Sequence, residues 1–550
     1  MNPIKWTATL TCLLFAFLAN ADEPASASVT IALSSDETEL TEQPDGSLLL
    51  TVSQSDADAF AKTGHVSYRD FGALGDGATD DANAIAATHA YANQHQLPVK
   101  ADDDATYYIG GKNRTAIIQT DTDFGNASFI IDDTAVEDRT APVFEVTSRL
   151  KPFPLEGLSS LRRNQKRIKA PGPSLITVTD AHTKRYIRFG LNQNNGAAQT
   201  DIFVVDKNGK LDPKAPIIWD FDQITEATAI PIDETTLTIA GGIFTTIANQ
   251  AESKYTYYSR NLTITRSNVV VDGLQHHVTG EGEHGAPYGG FIAIRDAAYV
   301  TVKNALLTGR KTYTTIGSAG KPVRMGSYDI LVNRSLNVSF VNCSQTNDIH
   351  DRTYWGIMGS NFSKNLLYDG CTLSRFDAHM GVANATIRNS TLGHMGINAI
   401  GSGTFTLEDS TVHGYSLINL RPDYGSTWQG TLIIRDCRFV PANGRPISAN
   451  LIGGRNSTLH DFGYTCYLPE KILIENLFID DSNHPDPYHG PAIFSDFTPD
   501  MTDESFQEAY PYVRPRKVLL RDVTTASGKS LRISDNPVPF KKVKVVTRKR

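Results

Sequence analysis

Apolar and polar residues alternate in short runs over most of this 550-residue chain, and the runs recur. NLTITRSNVVVDGL (261–274), AYVTVKNALL, YDILVNRSLNVSFVNC, KILIENLFID and KVLLRDVTTA carry the period of two expected of strands. Between Cys343 and Phe439 the recurrence comes about every twenty residues. One series reads FVNCS (340–344), YDGCT (368–372), IRNST (387–391), LEDST (407–411) and IRDCR (434–438). A second reads YWGI (354–357), HMGV (379–382), HMGI (394–397) and YSLI (415–418). Stacked coils of short strands would place like positions above one another, so the second series predicts a column of Tyr354, His379, His394 and Tyr415 facing a substrate. Helical spacing is clear in VSYRDFGALGDGATDDANAIAATHAYAN, which starts at Val66. It predicts a strand, a glycine-rich turn and a helix starting near Thr79, with Thr79 and Asp80 as caps. Ala84, Ile85, Ala87 and Tyr91 form the packing face, while Thr88 and His89 are expected at its margin or in solvent.

The repeat lapses over 145–257. RYIRFGLN, TDIFVVD, APIIWDFD and TTLTIAGG are strand-like runs with polar turns, and they predict an inserted β-rich subdomain. Its basic run RRNQKRIK (162–169) reads as a solvated loop. The chain thus divides into a leader (1–21), an N-terminal arm (22–64), a cap and first coils (65–144), the insertion (145–257), the main coil with its groove (258–535) and a basic tail (536–550). The tail, KKVKVVTRKR, is expected to be disordered or surface-binding.

The phrase DFGALGDGATDD followed by a helix closely resembles the opening of the pectate-lyase-like superfamily of right-handed parallel β-helix proteins. The resemblance implies an all-β coil whose open end is covered by the helix, which would shield an exposed strand edge. That superfamily includes polysaccharide lyases, mannuronan epimerases, glycoside hydrolases and phage tailspikes.

Composition narrows the partners. The net charge of −8 argues against nucleic acid. Met1–Ala21 reads as a secretory signal peptide, with Lys5, the apolar run Leu10–Leu18 and the small-residue site Ala19-Asn20-Ala21. Its apolar run is too short for a membrane span. The expected location is therefore the periplasm or outside the cell, which speaks against a tailspike. Cys343, Cys371 and Cys437 share one repeat position and predict a buried cysteine ladder; a Cys437–Cys466 disulfide is the alternative for an exported chain.

Chemistry concentrates between 348 and 428. TNDIHDRT holds Asp348, His350, Asp351 and Arg352; SRFDAHMG holds Arg375, Asp377 and His379. Residues two apart share a strand face, so each Asp is expected beside its His, raising the basicity of the imidazole. DIHD (348–351) resembles the D-P-H-[DE] signature of mannuronan C5-epimerases, with Ile349 in place of proline, and implies His350 as base or acid. LGHMGINAIGSG (392–403) and TND (346–348) resemble phrases of polygalacturonase-type hydrolases and imply Asp348 and His394 as site residues, although FDAH has one Asp where that family has two. LRPDYGSTW (420–428) offers Arg421 and Asp423 as a clamp or internal pair, with Tyr424 and Trp428 as sugar platforms. HHVTGEGEHG (276–285) holds three His and two Glu, yet its glycines favour a loop over a metal centre. Calcium is a candidate cofactor by resemblance to related lyases, but the chain has no EF-hand-like loop. GRKTYTTIGSAGKPVRMG (309–326) offers Lys311, Lys321 and Arg324 to a substrate or to a plain surface turn.

The expectation is an exported enzyme that degrades an acidic polysaccharide, a lyase acting by C5 proton abstraction. His350, His379, His394, Tyr354 and Tyr415 are its acids and bases, Asp348 and Asp377 their partners, and Arg352, Arg375 and Arg421 its carboxylate ligands. A hydrolase using paired aspartates is the second expectation, and a non-catalytic glycan-binding coil the third.

Overall fold

The computed structural model describes residues 28–249, 257–283, 285–441, 449–484 and 487–548. The leader and His284 lie outside the described residues. Strand after strand pairs in parallel with the next turn of the chain. One continuous ladder runs Leu237–Ala240, Val269–Asp272, Val300–Lys303, Val338–Val341, Leu366–Asp369, Ala385–Arg388, Phe405–Glu408, Leu432–Arg435, Ile472–Glu475 and Val518–Arg521. The architecture is a parallel β-helix.

Alternation explains its interior. On each rung the first and third residues point inward, so Val338, Leu366, Ala385, Phe405, Leu432 and Ile472 stack as one buried column and Phe340, Tyr368, Ile387, Leu407, Ile434 and Ile474 as another. The fourth position faces out and carries alternating charge: Arg388 pairs with Asp369, and Glu475 with Arg435 and Arg521. Next comes the turn that the FVNCS series encodes. Asn342, Gly370, Asn389, Asp409 and Asp436 have φ of +53°, +68°, +52°, +44° and +52°, the left-handed region that Gly, Asn and Asp enter most readily. The residue after each turn points inward. Cys343, Cys371 and Cys437 are buried there, and Ser390 and Ser410 fill the same position. All four described cysteines are free thiols, so the Cys437–Cys466 disulfide does not form. Cys437 instead donates to the Arg435 carbonyl at 2.8 Å within its own rung.

At the N-terminal end, strands Val29–Ser34, Glu39–Glu42 and Leu48–Ser53 form a small sheet, followed by α1 (Gln54–Thr63), capped by Ser53. Over its described residues, the expected N-terminal strand or arm is a small sheet followed by a helix. The second helix, α2 (Ala82–His95), starts three residues later than the sequence pattern places it. Thr79 and Asp80 belong to a short strand. Asp81 accepts from the Leu74 and Gly75 amides at 2.8 and 3.1 Å, tying down the glycine-rich turn. Ala84, Ile85, Ala87 and Tyr91 are buried as expected, but so are Thr88 and His89. Thr88 Oγ1 donates to the Ala84 carbonyl at 2.7 Å. His89 Nε2 lies 3.0 Å from the Tyr68 hydroxyl, and burial lowers its pKa to about 3. The helix is therefore covered by the N-terminal sheet on one side and the first coil on the other.

The insertion has its own antiparallel sheet of Phe153–Pro154, Glu226–Pro231, Ser174–Arg185 and Ala197–Val205. Leu237–Ile247, assigned to the insertion from sequence, instead pairs in parallel with Thr122–Asp132 and with the next coil. The basic tail is likewise not free: Lys544–Arg548 forms a last rung on Lys517–Arg521. Its exposed basic side chains suit a terminal edge, where charge discourages pairing with another chain. Among the described residues no helix is long and apolar enough to cross a membrane.

The insertion is locked to the coil by charge as well as packing. Lys364 Nζ lies 2.6 Å from Asp201 Oδ1 and donates to the Pro216 carbonyl, and both side chains of the ion pair are 1 % exposed. Lys364→Ala leaves the buried Asp201 carboxylate without its cation and should lower unfolding free energy by about 3–5 kcal/mol, whereas the double change Lys364→Met/Asp201→Leu should recover part of it, since the Ile202 and Ile218 amides then lose their acceptor. Chemical denaturation of the three proteins checks this; equal loss in single and double variants would refute the coupling.

Candidate functional site

The two HMG phrases do not stack. Between consecutive coils, Leu373 pairs with Leu392, Arg375 with Gly396, Ala378 with Ala399 and Val382 with Gly401. His379, Met380 and Gly381 therefore stand opposite Ile400 alone, and Gly393, His394 and Met395 stand opposite Ser374 alone. Each phrase is a bulge, and the two bulges sit at different corners of the coil. The expected column of Tyr354, His379, His394 and Tyr415 does not exist. Its members divide between two clusters and a third location, Tyr354, which bridges Lys311.

The first cluster lies at the exposed corner. The His350 ring meets that of His413 at 4.4 Å, His394 Nδ1 lies 3.0 Å from the Ile349 carbonyl, and Arg352 stands 5.5 Å over Tyr415. Asp348 is not the partner of the His350 ring. It accepts from the His350 backbone amide at 2.9 Å, because 348–350 lies in a turn where strand alternation has no force. Burial, then the charges of His350 and Arg438, push His413 down to about 4.

The second cluster is deeper and denser. Arg375 and Asp377 project from the strand Thr372–Arg388 and are 3 % and 0 % exposed. Arg375 Nη2 lies 2.8 Å from Asp377 Oδ2, an ion pair whose alignment falls short of a well-formed hydrogen bond, and among the described residues Arg375 Nε and Nη1 have no acceptor. Burial raises the Asp377 pKa, and Arg375 and Arg421 only partly offset it. His379 is part-buried and does not bond Asp377. Its Nδ1 lies 2.7 Å from Asn361 Oδ1 one coil below. An amide oxygen can only accept, so Nδ1 carries the proton and Nε2 keeps its lone pair. Burial, then the positive charges of Arg421, Arg188 and Arg375, hold the His379 pKa well below its ordinary value, so the ring is neutral.

A 3-10 turn, Pro422–Tyr424, forms the adjoining wall. Arg421 binds Asp423 through both ends of its fork, at 3.1 and 2.6 Å. Asp423 also accepts from Arg188 Nε at 2.8 Å. These two cations outweigh burial and keep Asp423 ionised. Tyr424 is not an open sugar platform: it is buried beneath Arg188 and Arg421 and meets the His379 ring edge-on at 5.3 Å. Trp428 is a core residue, packed on Phe405 and donating Nε1 to the Gly403 carbonyl at 3.1 Å. Trp355 and Tyr328 flank Arg375 at 5.7 and 5.8 Å on the N-terminal side.

Sequence reasoning missed Arg188, Asn361 and His413. Arg188 lies 235 residues from its partner Asp423, and nothing in the chain near it signals a site. The Lys311–Arg324 segment is a hairpin, Tyr313–Ile316 with Pro322–Met325. Lys311 Nζ donates to the Gly282 carbonyl at 2.7 Å, the role of a surface turn. In the His/Glu-rich phrase, His276 is a core group stacked on Phe291 and bonded to Asp329 at 2.8 Å.

The fold, a parallel β-helix, is shared with solved phage tailspikes. No protein-family model matches the chain. The tailspike gp61 of Pseudomonas phage phi297 is similar over 88 % of this chain and 84 % of its own, with a TM-score of 0.52 at 13 % identity. The Gp54 tailspike of Acinetobacter baumannii bacteriophage AP22, solved with a capsular saccharide, covers 90 % of this chain and 80 % of its own, with a TM-score of 0.46 at 9 % identity. A capsule KL64-specific depolymerase of Klebsiella phage P510 is 33 % identical over 132 residues, which cover 18 % of this chain and 13 % of that protein. The chain thus aligns with a small part of that relative's length, and the likeness to gp61 speaks to fold alone.

Asp377 has a folded-state pKa above its unfolded value. Its contribution is complete below the ordinary carboxylate pKa and is lost as pH rises through the raised one. Asp377→Asn removes that titration. Thermal melts from about pH 3 to pH 8 should show wild type falling relative to the variant as pH rises. Parallel profiles would show that Asp377 is not strained in the fold.

Proposed function

We propose that this chain is an exported enzyme that cleaves a uronic-acid-containing polysaccharide by β-elimination, with His379 as the base. The observation that carries this reading is a neutral imidazole with its Nε2 lone pair free, set among Arg375, Arg421 and Arg188. A sugar carboxylate bound at the unpaired Nε and Nη1 of Arg375 acidifies the neighbouring C5–H. His379 Nε2 then takes the C5 proton, the C4–O bond breaks as the C4=C5 bond forms, and the leaving oxygen needs a proton. In this reading Asp377, which burial makes a weaker acid than an ordinary carboxyl, returns one. The sequence relative named as a capsule depolymerase supports a polysaccharide substrate, and the leader supports export.

Hydrolysis by Asp377 and Asp423 is the second reading, because their environments push the two carboxyls in opposite directions. Against it, Asp423 is engaged by two arginines.

Incubation with alginate, pectate, ulvan, glycosaminoglycans and bacterial capsular polysaccharides, followed by ultraviolet absorbance of a 4,5-unsaturated uronate, tests the reading. Wild type should generate the chromophore, and His379→Ala should slow it by about 10²–10⁴-fold with the fold intact. Reducing ends without the chromophore would assign hydrolysis instead. Full activity in His379→Ala, with loss in His350→Ala, would move the chemistry to the exposed corner.

A further inference from the structure

The insertion reaches the candidate site at one place. The chain leaves the strand Ser174–Arg185 and makes a tight hairpin in which Arg188 bridges Asn194 before the strand Ala197–Val205 begins. This hairpin is fixed at three levels of the coil. The Ile187 amide donates to the Phe462 carbonyl at 3.1 Å, and the Phe189 amide donates to the Asp423 carbonyl at 2.9 Å. At the tip, the Ala319 amide donates to the Leu191 carbonyl at 3.1 Å and Ser318 Oγ donates to that of Gln193 at 2.5 Å. The strap therefore spans from the coil holding Phe462, past Asp423, to the hairpin Tyr313–Met325. Next to the middle anchor, Arg188 covers the Tyr424 ring, which meets the His379 ring edge-on at 5.3 Å. Tyr186, at the root of the strap, packs against Gly381, where a Cβ would come within 3.1 Å of its hydroxyl. Gly381 sits in the same bulge as His379, at φ +68°.

From this placement, and resting on the uronate reading above, we infer that Arg188 is a specificity-determining residue: the insertion supplies it so that the site selects sugars bearing a carboxylate. Arg188 uses Nε for Asp423, which holds its guanidinium over the Tyr424 ring at 5.2 Å, and among the described residues its Nη groups have no hydrogen-bond acceptor, so they are available to a second anion. Asp423 neutralises one of the two arginines it binds, so Arg188 and Arg421 together keep a net positive charge facing His379. Arg375 and Asp377 face it from its own strand, and Asp423 and Tyr424 from the adjoining turn. Arg188 thus also suppresses protonation of the base until an anionic substrate arrives.

The test uses the full-length protein and two variants, Arg188→Ala and Arg188→Lys. On the acidic glycan that wild type cleaves, Arg188→Ala should raise KM about tenfold or more with a smaller change in kcat, as loss of a charge-assisted contact predicts. The acid limb of its kcat/KM profile should move to higher pH, and the His379 imidazole, followed by NMR without substrate, should titrate at higher pH. Arg188→Lys should restore the titration, since the charge returns, but not the KM, since the fork does not. Unchanged KM and unchanged titration in Arg188→Ala would overturn the inference. If Arg188→Ala fails to fold, Arg188→Lys with wild-type KM does the same. Products without the unsaturated chromophore, combined with these shifts, would reject elimination while leaving the role of Arg188 standing.

Discussion

Parallel pairing of each coil with the next governs everything else in this molecule. A rung admits one inward set of side chains and one register, since a one-residue slip would turn the core face outward. Neighbouring coils differ in length, so extra residues leave the ladder as bulges at the corners. The bulge at His379–Gly381 frees an imidazole from the outward row and aims it between coils, where Asn361 below fixes its tautomer. The bulge at Gly393–Met395 sends His394 to a different corner. Site and register are one problem: the ladder supplies the rigid frame, and its irregularities supply the chemistry.

Burial sets the character of the deeper cluster. A carboxylate with no aligned donor and an arginine with unmet N–H groups are unfavourable in a closed interior. Neighbouring side chains and backbone enclose the pair, which is 3 % and 0 % exposed. A partner carrying complementary charge and hydrogen-bond acceptors would relieve this, and the acidic sugar proposed above would supply both. The exposed corner of His350, His413 and Tyr415 is open to solvent and lacks this tension. That contrast, more than the identity of the residues, separates the two clusters.

The architecture was legible in the sequence wherever local chemistry carried it. Alternation marked the rungs, and the cap phrase marked the N-terminal end. The Asn, Gly and Asp before each Cys or Ser turned out to encode left-handed turns. Arg375, Asp377 and His379 stand together because they share the strand Thr372–Arg388, and Arg421 joins them from a later coil. Their pairing was not legible. Asp-x-His spacing implies contact only if both residues stay in an unbroken strand, and neither phrase does: one is a turn and the other runs into a bulge. Trp428 and Tyr424 looked like platforms because aromatics near arginine suit sugars, but burial depends on neighbours from other coils. Arg188 was beyond reach, since its role arises from docking of the insertion.

The central claim is that an acidic sugar binds beneath the strap with its carboxylate on Arg375 and its C5–H toward residue 379. The crystal structure of the full-length His379→Ala variant with an oligosaccharide of the cleaved glycan tests it directly. The account predicts a uronate carboxylate within hydrogen-bonding distance of Arg375 and Arg188, and C5 facing the space vacated by the imidazole. A saccharide seated at His350, His413 and Tyr415, or a glycosidic oxygen held between Asp377 and Asp423 with no carboxylate on Arg375, would contradict it.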